Sequence, residues 1–249
     1  MRRTLVLAIT LAAVQARAHV APSVDDNNRY IKLTPLGDRV RLAYTVFFGE
    51  VPGARTRPSI DANRDGAIGE REAHDFGTKV AAEVAAALDI TVDRVQTKLT
   101  WAEVIVGMGS PSVKAGSFSV DMVAYLCLET PVGRHAVQLR DRFRLLRPGE
   151  TEVKIEDSPG VKIEHARVGT ANDPGHSYRF VGPGGPLADD GVDLAFEATD
   201  KAPVTGPACS AVAVSPKRGL PTGLVVGSAA VLGFILAGIV VLVRRRRRG

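Results

Sequence analysis

Four residues, Asp61, Asn63, Asp65 and Glu72, place oxygen-bearing side chains at positions 1, 3, 5 and 12 of the stretch Asp61-Ala62-Asn63-Arg64-Asp65-Gly66-Ala67-Ile68-Gly69-Glu70-Arg71-Glu72. Gly66, at position 6, permits a sharp turn that lets both halves of the stretch face one point. Asp61 and Asp65 offer carboxylates, Asn63 an amide oxygen, Ala67 its backbone carbonyl and Glu72 both carboxylate oxygens. With a water held near Gly69, about seven oxygens converge, a set that suits Ca2+. Mg2+ wants about six ligands in tighter geometry than a bidentate glutamate allows, and thiolate-seeking metals find no sulfur here. An acidic turn ahead of a helix would also put Asp and Glu near the positive helix end. That alternative does not account for six constrained positions at fixed spacing.

Position by position, the stretch resembles the calcium loop of an EF-hand. In such a loop Ile68 packs inward or pairs with whatever stands beside it. The helix leaving the loop is legible over residues 70–88, where Ala73, Phe76, Val80, Val84, Ala87 and Leu88 recur at three- and four-residue spacing. Gly77 is its one weak position. On the other side, residues 53–59 contain Gly53, two arginines and Pro58, and predict no entering helix. The site is therefore expected to be a loop with only its exit helix. Without a partner hand, calcium is expected to be structural, pinning helix to sheet, rather than to drive a switch.

Around this helix the period is two. Val40, Leu42, Tyr44, Val46 and Phe48 alternate with other residues after a turn at Pro35-Leu36-Gly37-Asp38. Ile90 with Val92, Leu99 with Trp101, and Phe118, Val120, Met122, Ala124, Leu126 and Leu128 continue the pattern. Further short rows follow at 137–143, 153–155, 161–163, 178–180 and 192–196, with Asp141 breaking the first of them. A loop rich in Gly, Ser and Pro separates the strands at 107–116. Many short strands punctuated by Pro-Gly turns predict a mainly β fold, an antiparallel β-sandwich with the EF-hand-like loop and its one helix inserted.

The formal charge of +5 suggests a basic protein, yet eight of its arginines lie at the two ends, at 2, 3, 17 and 244–248, and without them residues 19–243 carry −3. Nucleic acid is thus not an expected partner. Residues 1–18 have the charged, apolar and small-residue parts of a secretory signal peptide, with cleavage expected after Ala18. Residues 224–243 form an uncharged run of 20, enough to cross a bilayer, and the five arginines of 244–249 would stay in the cytoplasm. The domain at 19–198 should then face the periplasm or exterior, joined to the membrane helix by a Pro-containing stalk at 199–223.

In such a compartment Cys127 and Cys209 could form one disulfide, although a bridge would require the stalk to fold back on a strand. The five histidines show no metal-ligand pairing on a helix. No nucleophile elbow, phosphate loop or dinucleotide fingerprint is present, so no residue is nominated as catalytic and no organic cofactor is expected.

Residues 18–95 resemble the extracytoplasmic N-terminal domain found ahead of some bacterial nickel/cobalt permease-like membrane proteins. The likeness rests on Ala18-His19, the strand at 39–44, Glu50-Val51-Pro52, the calcium loop, the helix and Leu88-Asp89-Ile90-Thr91-Val92-Asp93. It implies calcium positions at Asp61, Asn63, Asp65, Ala67 and Glu72. The transporter's multiple membrane helices and His-rich ligand motif are missing from this chain. The tail, less specifically, resembles the tripartite sorting tails of some Gram-negative surface proteins. The expected function is that of a membrane-anchored, non-enzymatic calcium-binding module with a protein partner in the bacterial envelope. The rival expectations are an accessory subunit of a metal-ion permease and a hydrolase with a structural calcium.

Overall fold

The computed structural model describes residues 25–172, 177–181, 185–206 and 209. The expected signal peptide, membrane helix and arginine tail lie outside these residues. Among the described residues, no helix is long and apolar enough to cross a membrane.

The chain begins with the hairpin β1 (Asn27–Pro35) and β2 (Arg39–Phe48), then α1 (Glu50–Ile60) and α2 (Glu70–Ala87). Next come β3 (Leu88–Val92), β4 (Val95–Gln96), β5 (Trp101–Gly107), β6 (Phe118–Cys127), β7 (Gly133–Asp141) and β8 (Pro148–Ile155). The described elements end with β9 (Val161–Val168), β10 (Ala171–Asn172), β11 (Ser177–Val181), the short α3 (Gly185–Asp189) and β12 (Val192–Ala198). The protein is mainly β. The described strands form two six-stranded sheets, in the orders β11-β8-β1-β2-β6-β5 and β10-β9-β12-β7-β3-β4.

The expected alternation holds in the long strands. Val40, Leu42, Tyr44 and Val46 of β2 are buried, as are Phe118, Val120, Met122, Ala124 and Leu126 of β6. From the second sheet, Ile90, Val137, Leu139, Leu194 and Phe196 join the same core. Each fully buried aliphatic or aromatic side chain contributes about 1.5–3 kcal/mol, which sets the register strongly because a one-residue slip would expose a whole row.

One correction concerns strand direction. The sheet containing β2 is mixed, because β1 runs parallel to β8, with Arg29 opposite Thr151 and Leu33 opposite Ile155. Alternation reports which face a residue occupies and carries no information about the direction of the neighbouring strand. Direction here follows from the path of the chain, which leaves β7 in one sheet and enters β8 in the other.

Asp141, which interrupts the apolar row of β7, has a structural reason. It is buried and bonded across the core: Arg29 Nη1 donates to its Oδ2 at 2.5 Å and the Tyr44 hydroxyl to the same oxygen at 2.9 Å. The Phe143 N–H donates to its other oxygen at 2.8 Å. The cluster ties β1 and β2 of one sheet to β7 of the other. Burial first, and the Asp141 charge second, push the Tyr44 phenol well above its ordinary pKa.

The segment expected to be a free stalk also departs from expectation. Residues 199–206 lie on the domain: Thr199 N donates to the Gly160 carbonyl at 2.9 Å, Gly37 N to the Pro203 carbonyl at 2.9 Å, and Ala202 is buried. Cys209 then forms a disulfide with Cys127 at the end of β6. The domain boundary expected at 198 therefore moves to at least Cys209. Composition alone cannot show this, because Pro-rich chain without an apolar row can still be fixed by backbone hydrogen bonds.

Candidate metal centre

The proposed ligands stand between two helices, and the expectation of a missing entering helix is overturned by α1. Pro52 is the third residue of α1, a position whose N–H has no intrahelical acceptor, so proline is tolerated there. Pro58 removes one helical hydrogen bond near the other end. What outweighs this is tertiary. Arg57, with no exposed surface, donates from Nε to the Gly116 carbonyl at 2.8 Å, from Nη1 to Ser110 at 2.8 Å and Ser112 at 3.1 Å, and from Nη2 to Met108 at 2.5 Å and Ser117 at 3.1 Å. Five backbone carbonyls of the 107–117 segment thus converge on one guanidinium, which also stands over the Phe118 ring at 5.4 Å. Burial acts to lower the Arg57 pKa, and the charge of Glu50 only partly opposes it.

The same segment is clamped at the start of α1. Glu50 Oε2 accepts from Ser117 N at 3.1 Å. A side chain at Gly53 would stand 2.5 Å from the Gly116 carbonyl, so Gly53 is required by close approach rather than by a turn. Against α2, Phe76 packs on Phe48 and Phe118, each at 5.8 Å, and these two rings stack at 4.4 Å. Gly77, a weak position in a helix taken alone, faces β5: a Cβ there would meet Val106 at 2.5 Å. The helix exchanges local propensity for proximity to the sheet.

Between the helices, residues 61–69 are closed by their own N–H groups. Asp61 accepts from Asp65 N at 3.2 Å and from Gly66 N at 2.9 Å. Asn63 Oδ1 accepts from Asp65 N at 2.9 Å, and Asp65 Oδ1 from Ala67 N at 2.8 Å. Arg64 and Gly66 adopt φ values of 61° and 88°, which tighten the turn. Glu72, in the first turn of α2, reaches both ends of the loop. Its Oε1 accepts from Ala62 N at 2.8 Å and Asn63 N at 3.1 Å, its Oε2 from Gly69 N at 3.0 Å. The Gly69 N–H and then the Asn63 N–H hold the Glu72 carboxyl below its ordinary pKa.

Ile68 is buried, and its N–H donates to the Pro111 carbonyl at 2.7 Å; in return Val113 N donates to the Gly66 carbonyl at 3.2 Å. Ala67 and Ser112 form an isolated antiparallel bridge. The 110–113 segment, organised by Arg57, therefore occupies the place beside Ile68. The sequence requirement that Ile68 pair with a neighbour is the signal that could have pointed to this segment. Arg57 itself carried no signal, since a buried arginine and an exposed one look alike in a chain.

The structure thus brings Asp61, Asn63, Asp65, Ala67 and Glu72 into one hydrogen-bonded loop. The donor set is all oxygen and fits a hard cation rather than a thiophilic one. Among the described residues, no group of three or more His, Cys, Asp or Glu side chains is gathered in a metal-holding cluster. An ion here would depend on the Asn63 amide and the Ala67 carbonyl as well as the carboxylates. His74 is exposed on α2, and His135 is buried near the start of β7 with its Nδ1 2.9 Å from Asp93. Comparison with protein-family models finds no match, and comparison with curated protein sequences finds none either.

Proposed function

We propose that the protein is an exported calcium-binding module of β-sandwich architecture, held at the membrane by the apolar run at 224–243. In this reading it is an interaction module of the envelope rather than an enzyme. The observation that carries the reading is the placement of Asp61, Asn63, Asp65, Ala67 and Glu72 in one loop between α1 and α2, paired through Ile68 with 110–113. Asp61, Asn63, Asp65 and Glu72 would hold Ca2+ by side-chain oxygens and Ala67 by its carbonyl, and the ion would offset two of the three carboxylate charges.

The chain's own residues give that binding a structural consequence. Asp61 follows the end of α1, Glu72 belongs to α2, and Ala67 pairs with the segment that Arg57 holds. One ion would therefore join two helices and, through 110–113, the sheet at β5 and β6. The paired segment is not a second calcium loop, which supports a structural clip over a cooperative switch.

Thermal unfolding of the full chain with calcium and with magnesium tests the proposal. Calcium at 100 times its Kd should add about 2.7 kcal/mol of stability, and Glu72→Ala should remove most of that gain. Equal stabilisation by both ions, or none by calcium, would overturn it.

A further inference from the structure

Between α1, α2, β2 and the segment after β7 lies a groove of about 340 Å3, lined by no residue of the 61–72 loop. Its floor is apolar, from Val46 and Phe48 of β2, Phe76 and Val80 of α2, and Phe143 and Leu145 beyond β7. Its rim is basic. Arg55, Arg144 and Arg147 line it, all exposed and, among the described residues, in no ion pair. Lys79 and Glu83 of α2 also line it, one helical turn apart and opposite in charge, so the unbalanced charge is that of the three guanidiniums.

The 143–147 wall is fixed in place. The Phe143 carbonyl accepts from Arg29, the Leu146 carbonyl from Asn27 Nδ2 at 2.6 Å, and the Arg147 carbonyl from Asn27 N at 2.9 Å. A preformed apolar trough ending in guanidiniums suits one kind of occupant: an apolar chain closed by a carboxylate or phosphate, which an arginine can bind in bidentate fashion. The volume lies at the small end of the range for ligand pockets, about 300–1,000 Å3. It matches one chain rather than a two-chain lipid, and a concave floor is out of reach of a flat bilayer surface.

The geometry points to this groove as a binding site for a single-chain anionic amphiphile, its chain on Phe48, Phe76 and Phe143 and its head on Arg55, Arg144 and Arg147. The site is separate from the metal loop and stands whether or not calcium binds.

The test is photolabelling of the full chain with dodecanoate carrying a diazirine, followed by mapping of the modified peptides by mass spectrometry. Saturable label should fall on the 143–147 and 76–80 peptides. Unlabelled dodecanoate should compete, whereas dodecyltrimethylammonium should not. Arg144→Glu with Arg147→Glu, both exposed and free of structural bonds through their side chains, should weaken labelling by about tenfold or more with the circular dichroism spectrum unchanged. Four results would overturn the inference. They are label spread evenly over the surface, equal competition by the cationic amphiphile, competition by anionic vesicles as good as by dodecanoate, and protection of the groove only by an acidic peptide.

Discussion

Ile68 donates its N–H to the carbonyl of Pro111 at 2.7 Å. In this way a strand-like piece of an ordinary loop stands beside the calcium-type loop. The returning bond, Val113 N to the Gly66 carbonyl, can be removed by Val113→Pro without touching any proposed ligand. A net hydrogen bond is worth about 0.5–1.5 kcal/mol, so calcium affinity should fall up to about tenfold. Fluorescent-chelator competition would measure it, and an unchanged affinity would show that the pairing is incidental to the metal.

Arg57 should matter more to the fold than any residue of the loop. Arg57→Met keeps the length of the side chain and removes all donors to five part-buried carbonyls, and because water can reach several of them the loss is smaller than the ~1–3 kcal/mol that each would cost if fully buried. We expect a loss of about 3–5 kcal/mol in urea unfolding. Arg57→Lys should recover only part of it, because an ammonium cannot span the same fork of acceptors.

These two residues also mark what could be read from the chain. The loop ahead of α2, α2 itself and the long strands were legible because each places residue types at a fixed spacing. The entering helix was not. Its sequence, with Pro52, Gly53 and Pro58, argues against helix locally, and it forms because Arg57 and Glu50 are bonded to a segment about 60 residues away in the chain. The parallel pairing of β1 with β8 and the seating of 199–206 on the domain were hidden for the same reason. Both depend on long-range backbone contacts that leave no pattern in composition.

The Cys127–Cys209 bridge spans a separation of 82 residues. Replacing both cysteines by serine should cost about 2–5 kcal/mol. It should also loosen the strap at 199–206, so limited proteolysis ought to release the C-terminal segment before the domain is cut. Cleavage at the same rate in the oxidised protein would contradict that order.

Asp38 gives a dependence on pH. Arg39 Nε and Nη2 donate to its two oxygens at 2.6 and 2.7 Å, and these bonds are the main cause of a pKa below the ordinary value of 3.8. Stability from the pair is therefore complete above that value and lost as pH falls through the lower folded one. Asp38→Asn should lower stability at neutral pH and flatten the acid limb below about pH 4 in thermal melts. A variant as acid-sensitive as the native chain would count against the pair.

Calcium binding by the loop at 61–72 is the property on which the proposed function depends. Calorimetric titration of the full chain with CaCl2, beside Asp61→Ala, decides it. We expect one site per chain in the native protein, with heat lost in the variant and none of comparable size from MgCl2. No calcium heat up to millimolar concentration, or the same heat from Asp61→Ala, would contradict the central claim.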